Sequence, residues 1–235
     1  MSTLVLDIET VGEDFDALDS TTKEMLTRWL KKESYSEDEY ERRLDDIKNG
    51  LGFSPLTGQV VVIGVLDHHR NKSVVYYQAP EMNLPDKEDD GVIYKCRTEK
   101  EMLEQFWQGA QNYTEFVTFN GREFDIPFLM IRSAINKVRP TKNLLSNRYL
   151  SSQHYDAKHV DLCDQLSFYG SVRKKCSLHV SCRAFGIESP KAQGVSGDDV
   201  ASLFKEKKYF EIAKYNVGDL VATQKLYEYW KEFLN

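Results

Sequence analysis

Residues 4–9, Leu-Val-Leu-Asp-Ile-Glu, constrain this chain more than any other segment. Leu4, Val5, Leu6 and Ile8 call for a hydrophobic core, and a strand sends successive side chains to opposite faces. Asp7 and Glu9 therefore share one face at the far end of a core strand. Acids in that position are either a solvated strand end or part of a site.

The rest of the chain supplies what such a strand needs as neighbours. The β-branched run at 60–66 predicts a second buried strand, and 73–78, with Val74, Val75, Tyr76 and Tyr77, a third. A polar turn at 67–72 separates them. Residues 99–113 carry Met102, Leu103, Phe106 and Trp107 at intervals of three and four, the spacing of an amphipathic helix. A short strand at 116–119 breaks at Asn120-Gly121, and an apolar helix runs from about Asp125 to Ile135. A strand at 160–163 and helices at 177–185, 195–204 and 210–233 complete the order. Strands first, then strands alternating with helices, predict an α/β fold: a mixed sheet with helices on its faces. No repeat or Pro/Gly linker divides the chain, so 1–235 reads as one domain.

Residues 13–50 stand apart, with twelve acids against seven bases. Met25/Trp29, Leu26/Leu30 and Leu44/Ile47 recur at helical spacing, so one or two helices are expected between the first two strands. They form either a solvated cap on the sheet or a lid beside the acids, since the segment begins just after Thr10.

Three separated segments carry the chemistry. The first is Asp7-Ile8-Glu9-Thr10; the second is Asn120-Gly121-Arg122-Glu123-Phe124-Asp125-Ile126-Pro127, a strand–turn–helix junction. The third is Tyr215-Asn216-Val217-Gly218-Asp219, where Tyr and Asp lie four apart and so on one helical face. Four gathered carboxylates suit hard divalent cations, which take oxygen ligands. Without cations, two such charges about 4 Å apart repel by roughly 4 kcal/mol at an effective dielectric near 20.

The order Asp-x-Glu, Asn-Gly-x-x-Phe-Asp, Tyr-x-x-x-Asp resembles the DEDDy-type 3'–5' exonucleases, which use four acids and a tyrosine on an RNase H-like fold. Within them it is most similar to stand-alone exonucleases related to the proofreading domain of family B DNA polymerases. Further signs are Gly52-Phe53-Ser54-Pro55-Leu56-Thr57-Gly58, His159-Val160-Asp161-Leu162, and Ser177-Leu178 with Phe185-Gly186-Ile187.

The resemblance implies two bound cations, Mg²⁺ or Mn²⁺. Asp7 would bridge them, Glu9 and Asp219 would complete the site of the attacking water, and Asp125 would hold the second ion largely through water. Tyr215 would orient that water, since a phenol with a pKa near 10 is a poor base at neutral pH. Lys214 stands where the related subfamily has a histidine. The backbone at Ile8 and Thr10 would meet the terminal nucleotide, Asn120 its phosphates or sugar, and Phe124 its base. Plainer readings remain for each: strand-end cap for Thr10, turn former for Asn120, core aromatic for Phe124 and Tyr215, helix cap for Asp125. Asp161 reads as a supporting residue.

The implied substrate is a single-stranded DNA 3' end, with RNA possible and a polymerase or repair partner undetermined. The alternatives are an exoribonuclease of the same chemistry and a non-catalytic nucleic-acid-binding module. The net charge of −6 argues against tight, non-specific duplex binding. Local bases could still hold a strand: Arg132, Lys137, Arg139, Lys142 and Arg148, and Arg173-Lys174-Lys175. No apolar run approaches the roughly 18 residues of a membrane helix, and no signal peptide is legible, so a cytoplasmic protein is expected. Cys96, Cys163, Cys176 and Cys182 show no metal spacing and read as free thiols. His68, His69, His154, His159 and His179 read as turn or surface residues.

Overall fold

In a computed structural model, which describes residues 2–82, 84–174, 177–189 and 197–235, the first strand outruns its apolar core. β1 spans Thr3–Gly12, and β2 (Gly58–Asp67) and β3 (Lys72–Tyr77) follow it as an antiparallel meander. β4 (Lys87–Asp89), β5 (Val92–Cys96), β6 (Glu115–Thr118) and β7 (Lys158–Asp161) complete one mixed sheet in the order β4-β5-β3-β2-β1-β6-β7. β6 and β7 run parallel to β1, so the C-terminal ends of all three strands lie at the same end of the sheet.

The hairpin of β4 and β5 was not expected. β4 reads Lys-Glu-Asp and has no apolar alternation to reveal it. Its signal was the turn: Asp90 and Gly91 form a two-residue loop with φ of 52° and 76°, the conformation that Asp-Gly favours. The charges on this outer strand also discourage pairing with another chain.

Helices cover both faces. α4 (Glu99–Ala110) and α5 (Asp125–Ile135) pack on the side of Leu4, Leu6 and Ile8, with Met102, Leu103, Phe106, Trp107, Ile126, Phe128 and Leu129 in one buried cluster. Trp107 is fully enclosed, and its indole N–H donates to Ser133 Oγ at 2.8 Å. The other face, that of Val5 and Val11, is covered by α6 (Leu162–Leu166), α7 (Leu178–Ala184), α8 (Val200–Lys205) and α9 (Tyr209–Phe233). α8 is shorter than the helix expected over 195–204; a 3-10 turn, Gly197–Asp199, precedes it, and residues 195 and 196 lie outside the described residues.

The 13–50 insertion folds into α1 (Ser20–Thr27), α2 (Leu30–Glu33) and α3 (Glu37–Gly50), one more helix than expected. Its apolar spacing buries in part: Leu30 is buried and Leu26, Leu44 and Ile47 are half-buried, whereas Met25 and Trp29 are exposed. After α3 the chain makes a 3-10 turn, Leu51–Phe53, against β1, where Thr10 Oγ1 donates to Gly52 O at 2.7 Å.

α4 and α5 are joined by a buried ion pair. Glu99 accepts from Arg132 Nη2 at 2.7 Å and Nε at 2.9 Å, from Asn136 at 2.9 Å and from the Val60 N–H at 2.8 Å. Glu99→Ala leaves the Arg132 charge in a mostly desolvated place, a change that costs about 3 kcal/mol or more. A lower urea midpoint with an unchanged denaturant slope is expected; an unchanged midpoint would mean that water replaces the carboxylate.

Candidate active site

β1 delivers Asp7 and Glu9 onto the face covered by α9, as the alternation required. A register shift between Glu9 and Thr10 marks a bulge against β2, where Val61 and Val62 both join the cluster beneath α8 and α9. The bulge turns the strand just past Glu9. α9 crosses this end of the sheet and contributes Asp219. Single carboxylate oxygens of Asp7, Glu9 and Asp219 all lie within 4.8 Å of one another.

Asp125 reaches the cluster from the opposite helical layer. β6 ends at Thr118, and the chain turns through Asn120, whose φ of 62° is a left-handed conformation that Asn tolerates. Gly121 must follow, because a Cβ there would stand 2.5 Å from Thr118 Cβ. The turn is fixed by Asp161 at the end of β7: its carboxylate accepts from the backbone N–H groups of Asn120, Arg122 and Cys163, each at 2.9 Å. Asp161 thus supports the junction that aims Asp125. Asp125 does not cap α5 with its side chain; it is the first residue of the helix, and its Oδ1 accepts the Ile8 N–H at 3.1 Å. The Ile8 N–H is therefore engaged within the protein.

The electrostatics are those of crowded acids. Burial, then the charges of Asp125, Asp219 and Glu9, raise the Asp7 carboxyl well above the usual range. Burial and the charges of Asp219 and Asp125 raise Glu9 likewise, against a hydrogen bond from Asn216. Asp125 is pushed up to about 7, chiefly by burial, although the Ile8 hydrogen bond opposes the shift. The Tyr215 hydroxyl donates to Asp219, and burial followed by the neighbouring carboxylates drives its pKa far upward, so it remains a protonated donor. An all-oxygen, multiply acidic pocket of this kind fits hard divalent cations. Asp7, Glu9 and Asp219 could hold them directly, with Asp125 beside them.

Two residues that the sequence reading quoted within motifs but gave no role stand out, one beside the acids and one beside Phe124. Asn216 is wholly buried, and its amide donates to Asp7 Oδ2 at 2.7 Å. Its position three residues before Asp219, on the same helical face, was the available signal. Phe53, at the end of the insertion, is exposed, and its ring lies 6.5 Å from that of Phe124, which in turn lies 5.4 Å from Phe128. Only the fold brings residue 53 beside residue 124.

Other expectations are corrected. The basic strip is largely neutralised within the protein: Arg132 pairs with Glu99, Lys142 with Asp156 and Arg148 with Asp164. Lys175 lies outside the described residues. His159 is neither a turn nor a surface residue. It is buried, its Nδ1 lies 3.1 Å from Leu144 O and its Nε2 lies 2.8 Å from Thr118 Oγ1, and burial lowers its pKa to about 3. His68 does lie in the turn after β2, as expected, and packs edge-on against Tyr227, with ring centroids 5.3 Å apart.

A family model described as a predicted 3'–5' exonuclease related to the exonuclease domain of PolB matches residues 57–233. The match starts after β1, so Asp7 and Glu9 are joined to it by the fold. DNA polymerase 1 of Sulfurisphaera ohwakuensis is 21% identical over 165 residues, which cover 64% of this chain and 19% of that protein. The structure of the family B DNA polymerase from the hyperthermophilic archaeon Pyrobaculum calidifontis aligns with a TM-score of 0.55 at 16% identity, over 98% of this chain and 24% of that one. The chain therefore spans about a fifth to a quarter of these relatives' lengths, and the structural likeness speaks for the fold alone. With the family model matched over well more than half of its residues, the chain belongs to the predicted 3'–5' exonucleases related to the exonuclease domain of PolB.

Proposed function

We propose that residues 1–235 act as one exonuclease domain of the tyrosine type, removing nucleotides from the 3' end of single-stranded DNA with two divalent cations, Mg²⁺ or Mn²⁺. The observation that carries this reading is the convergence of Asp7, Glu9 and Asp219 within 4.8 Å, with Tyr215 hydrogen-bonded to the last of them. When bound, a pair of such cations neutralises charge on the entering and leaving oxygens of a phosphodiester and lowers the pKa of a bound water.

The chain's own groups have distinct tasks. Asp7 lies with Glu9 and Asp219, and Asp125 is the strongest of the neighbouring charges it feels, so Asp7 would hold a cation together with either group. Asp125, anchored by the Ile8 N–H, contributes its charge from a fixed position. Tyr215 keeps its proton at neutral pH, so it orients a water by donating or accepting a hydrogen bond; it does not remove the proton. The exposed Phe53 ring lies 6.5 Å from that of Phe124, the residue that precedes Asp125. Stacking on aromatic rings is open to any unpaired base, which supports a single-stranded, sequence-tolerant substrate. Thr10 and Asn120 flank the same end of the sheet and are assigned to the terminal nucleotide. We assign the protein to the cytoplasm; among the described residues no helix is long and apolar enough to cross a membrane.

The direct test incubates pure protein with 5'-labelled DNA and RNA oligonucleotides, single- and double-stranded, in Mg²⁺, Mn²⁺ or chelator. A metal-dependent ladder shortening from the 3' end of single-stranded DNA is expected. Shortening of RNA alone would make the chain an exoribonuclease, and no cleavage of any substrate would sink the proposal. Asp7→Asn and Asp125→Asn should each slow hydrolysis by about a hundredfold or more, since each removes charge from the metal site. Tyr215→Phe should cost less, on the order of tenfold to a hundredfold; unchanged turnover would return Tyr215 to a packing role.

The acids also predict a pH dependence of stability without cations. An Asp carboxyl titrates near 3.9 in the unfolded chain. Folding raises Asp125 to about 7, so the folded state holds that proton more tightly. Its contribution to stability is complete below the unfolded value and is lost as pH rises through about 7. In chelator the melting temperature should fall across this window, and the stabilisation given by saturating Mn²⁺ should grow across it, because cations and protons compete for the same oxygens. A melting temperature flat across the window in chelator would contradict the crowding of these acids.

A further inference from the structure

Asn216 occupies a place that packing alone does not explain. The residue is fully buried, and its amide N–H donates to Asp7 Oδ2 at 2.7 Å. The donor is Nδ2, so the nitrogen end of the amide faces Asp7. The other end, Oδ1, is then buried with no hydrogen-bond partner. A buried carbonyl oxygen without a partner destabilises a fold, and an apolar side chain of similar volume would avoid that cost.

The space for Oδ1 comes from a particular glycine. Gly64 of β2 is the cross-strand partner of Asp7 in β1. A Cβ at position 64 would fall on Asn216 Oδ1 and stand 2.9 Å from both Asn216 Cγ and Leu220 Cδ1. The absence of a side chain opposite Asp7 therefore forms a notch, and the α9 amide sits in it beside the carboxylate. Since a carboxylate has two oxygens and about four lone-pair sites, a hydrogen bond to Oδ2 restrains the group and still leaves acceptor positions for a cation. A lysine or arginine at 216 would restrain it too, but would neutralise the charge a cation needs.

We infer that Asn216 is a positioning residue that holds the Asp7 carboxylate in its metal-binding orientation, and that Gly64 is its seat. This rests on the reading of Asp7 as a metal ligand. Supporting partners of metal ligands typically contribute tenfold to a hundredfold in metal affinity.

The test titrates Mn²⁺ into metal-free protein without substrate, by calorimetry or by electron paramagnetic resonance of free Mn²⁺, and records melting curves in chelator. Asn216→Leu keeps the volume and removes both the donor and the orphaned oxygen. It should melt at or above the wild-type temperature, bind Mn²⁺ at least tenfold more weakly, and lose turnover with little change in KM for an oligonucleotide. Asn216→Asp, equal in shape but unable to donate to an ionised Asp7, should not restore turnover. Gly64→Ala should lower both the melting temperature and Mn²⁺ affinity. Gly64→Ala combined with Asn216→Ala should recover part of the melting temperature, because the clash with the amide is gone and only the contact with Leu220 Cδ1 remains, but not the affinity. Wild-type Mn²⁺ affinity in a folded Asn216→Leu protein, or in Gly64→Ala, would overturn the inference while leaving the exonuclease reading intact. Failure of the wild-type protein to bind Mn²⁺ would overturn both.

Discussion

Burial of carboxylates that also repel one another is the constraint on which this structure turns. Asp7, Glu9 and Asp125 each hold their protons more tightly than an ordinary acid, and Asp219 adds to the charge around them. At an effective dielectric near 20, one pair of charges about 4 Å apart costs roughly 4 kcal/mol, a large share of the stability of a domain. The rest of the molecule must over-determine that arrangement. It does so with a seven-stranded sheet, a fully enclosed apolar layer on each face and a buried Glu99–Arg132 pair that ties α4 to α5.

The supports differ in chemical kind. Asp125 is held by backbone, through the Ile8 N–H, and its helix is aimed by a turn whose amides converge on Asp161. Asp7 is held by the Asn216 side chain across the notch at Gly64. Tyr215 is tied to Asp219 one helical turn away. The groups that touch the cluster itself, the Ile8 N–H, the Asn216 amide and the Tyr215 hydroxyl, are neutral donors. None of them cancels the negative charge, so the cluster keeps its attraction for cations. Apo stability is given up at this point in exchange for binding power, as expected where a protein departs from what folding alone would choose.

Much of this was legible from residues alone. The alternation in 4–9 put Asp7 and Glu9 on one face, and the apolar spacing in 99–110 and 125–135 located α4 and α5 because helical period and burial coincide there. The edge hairpin was missed because β4 buries no apolar side chain, so its strand period left no hydrophobic trace. Within the helical insertion one pair misled for the converse reason: Met25 and Trp29 have the spacing of a packed face but remain exposed. Charge was misread more simply, since a run of bases in sequence carries no information about the acids the fold sets opposite them, such as Asp164 beside Arg148.

What the sequence by itself determined was the chemistry: four acids and a tyrosine, set in strand and helix contexts whose periods orient each one locally. Only the tertiary structure decided that three of the acids meet within 4.8 Å. It also decided that Phe53 lies beside Phe124, and that residue 216 faces residue 7 through a gap at residue 64. The physical reason is range. Side-chain periodicity reports which face a residue takes on its own element, whereas the distance between faces depends on how the sheet orders its strands and how helices cross it. A buried amide and a glycine opposite an aspartate acquire meaning only from that packing.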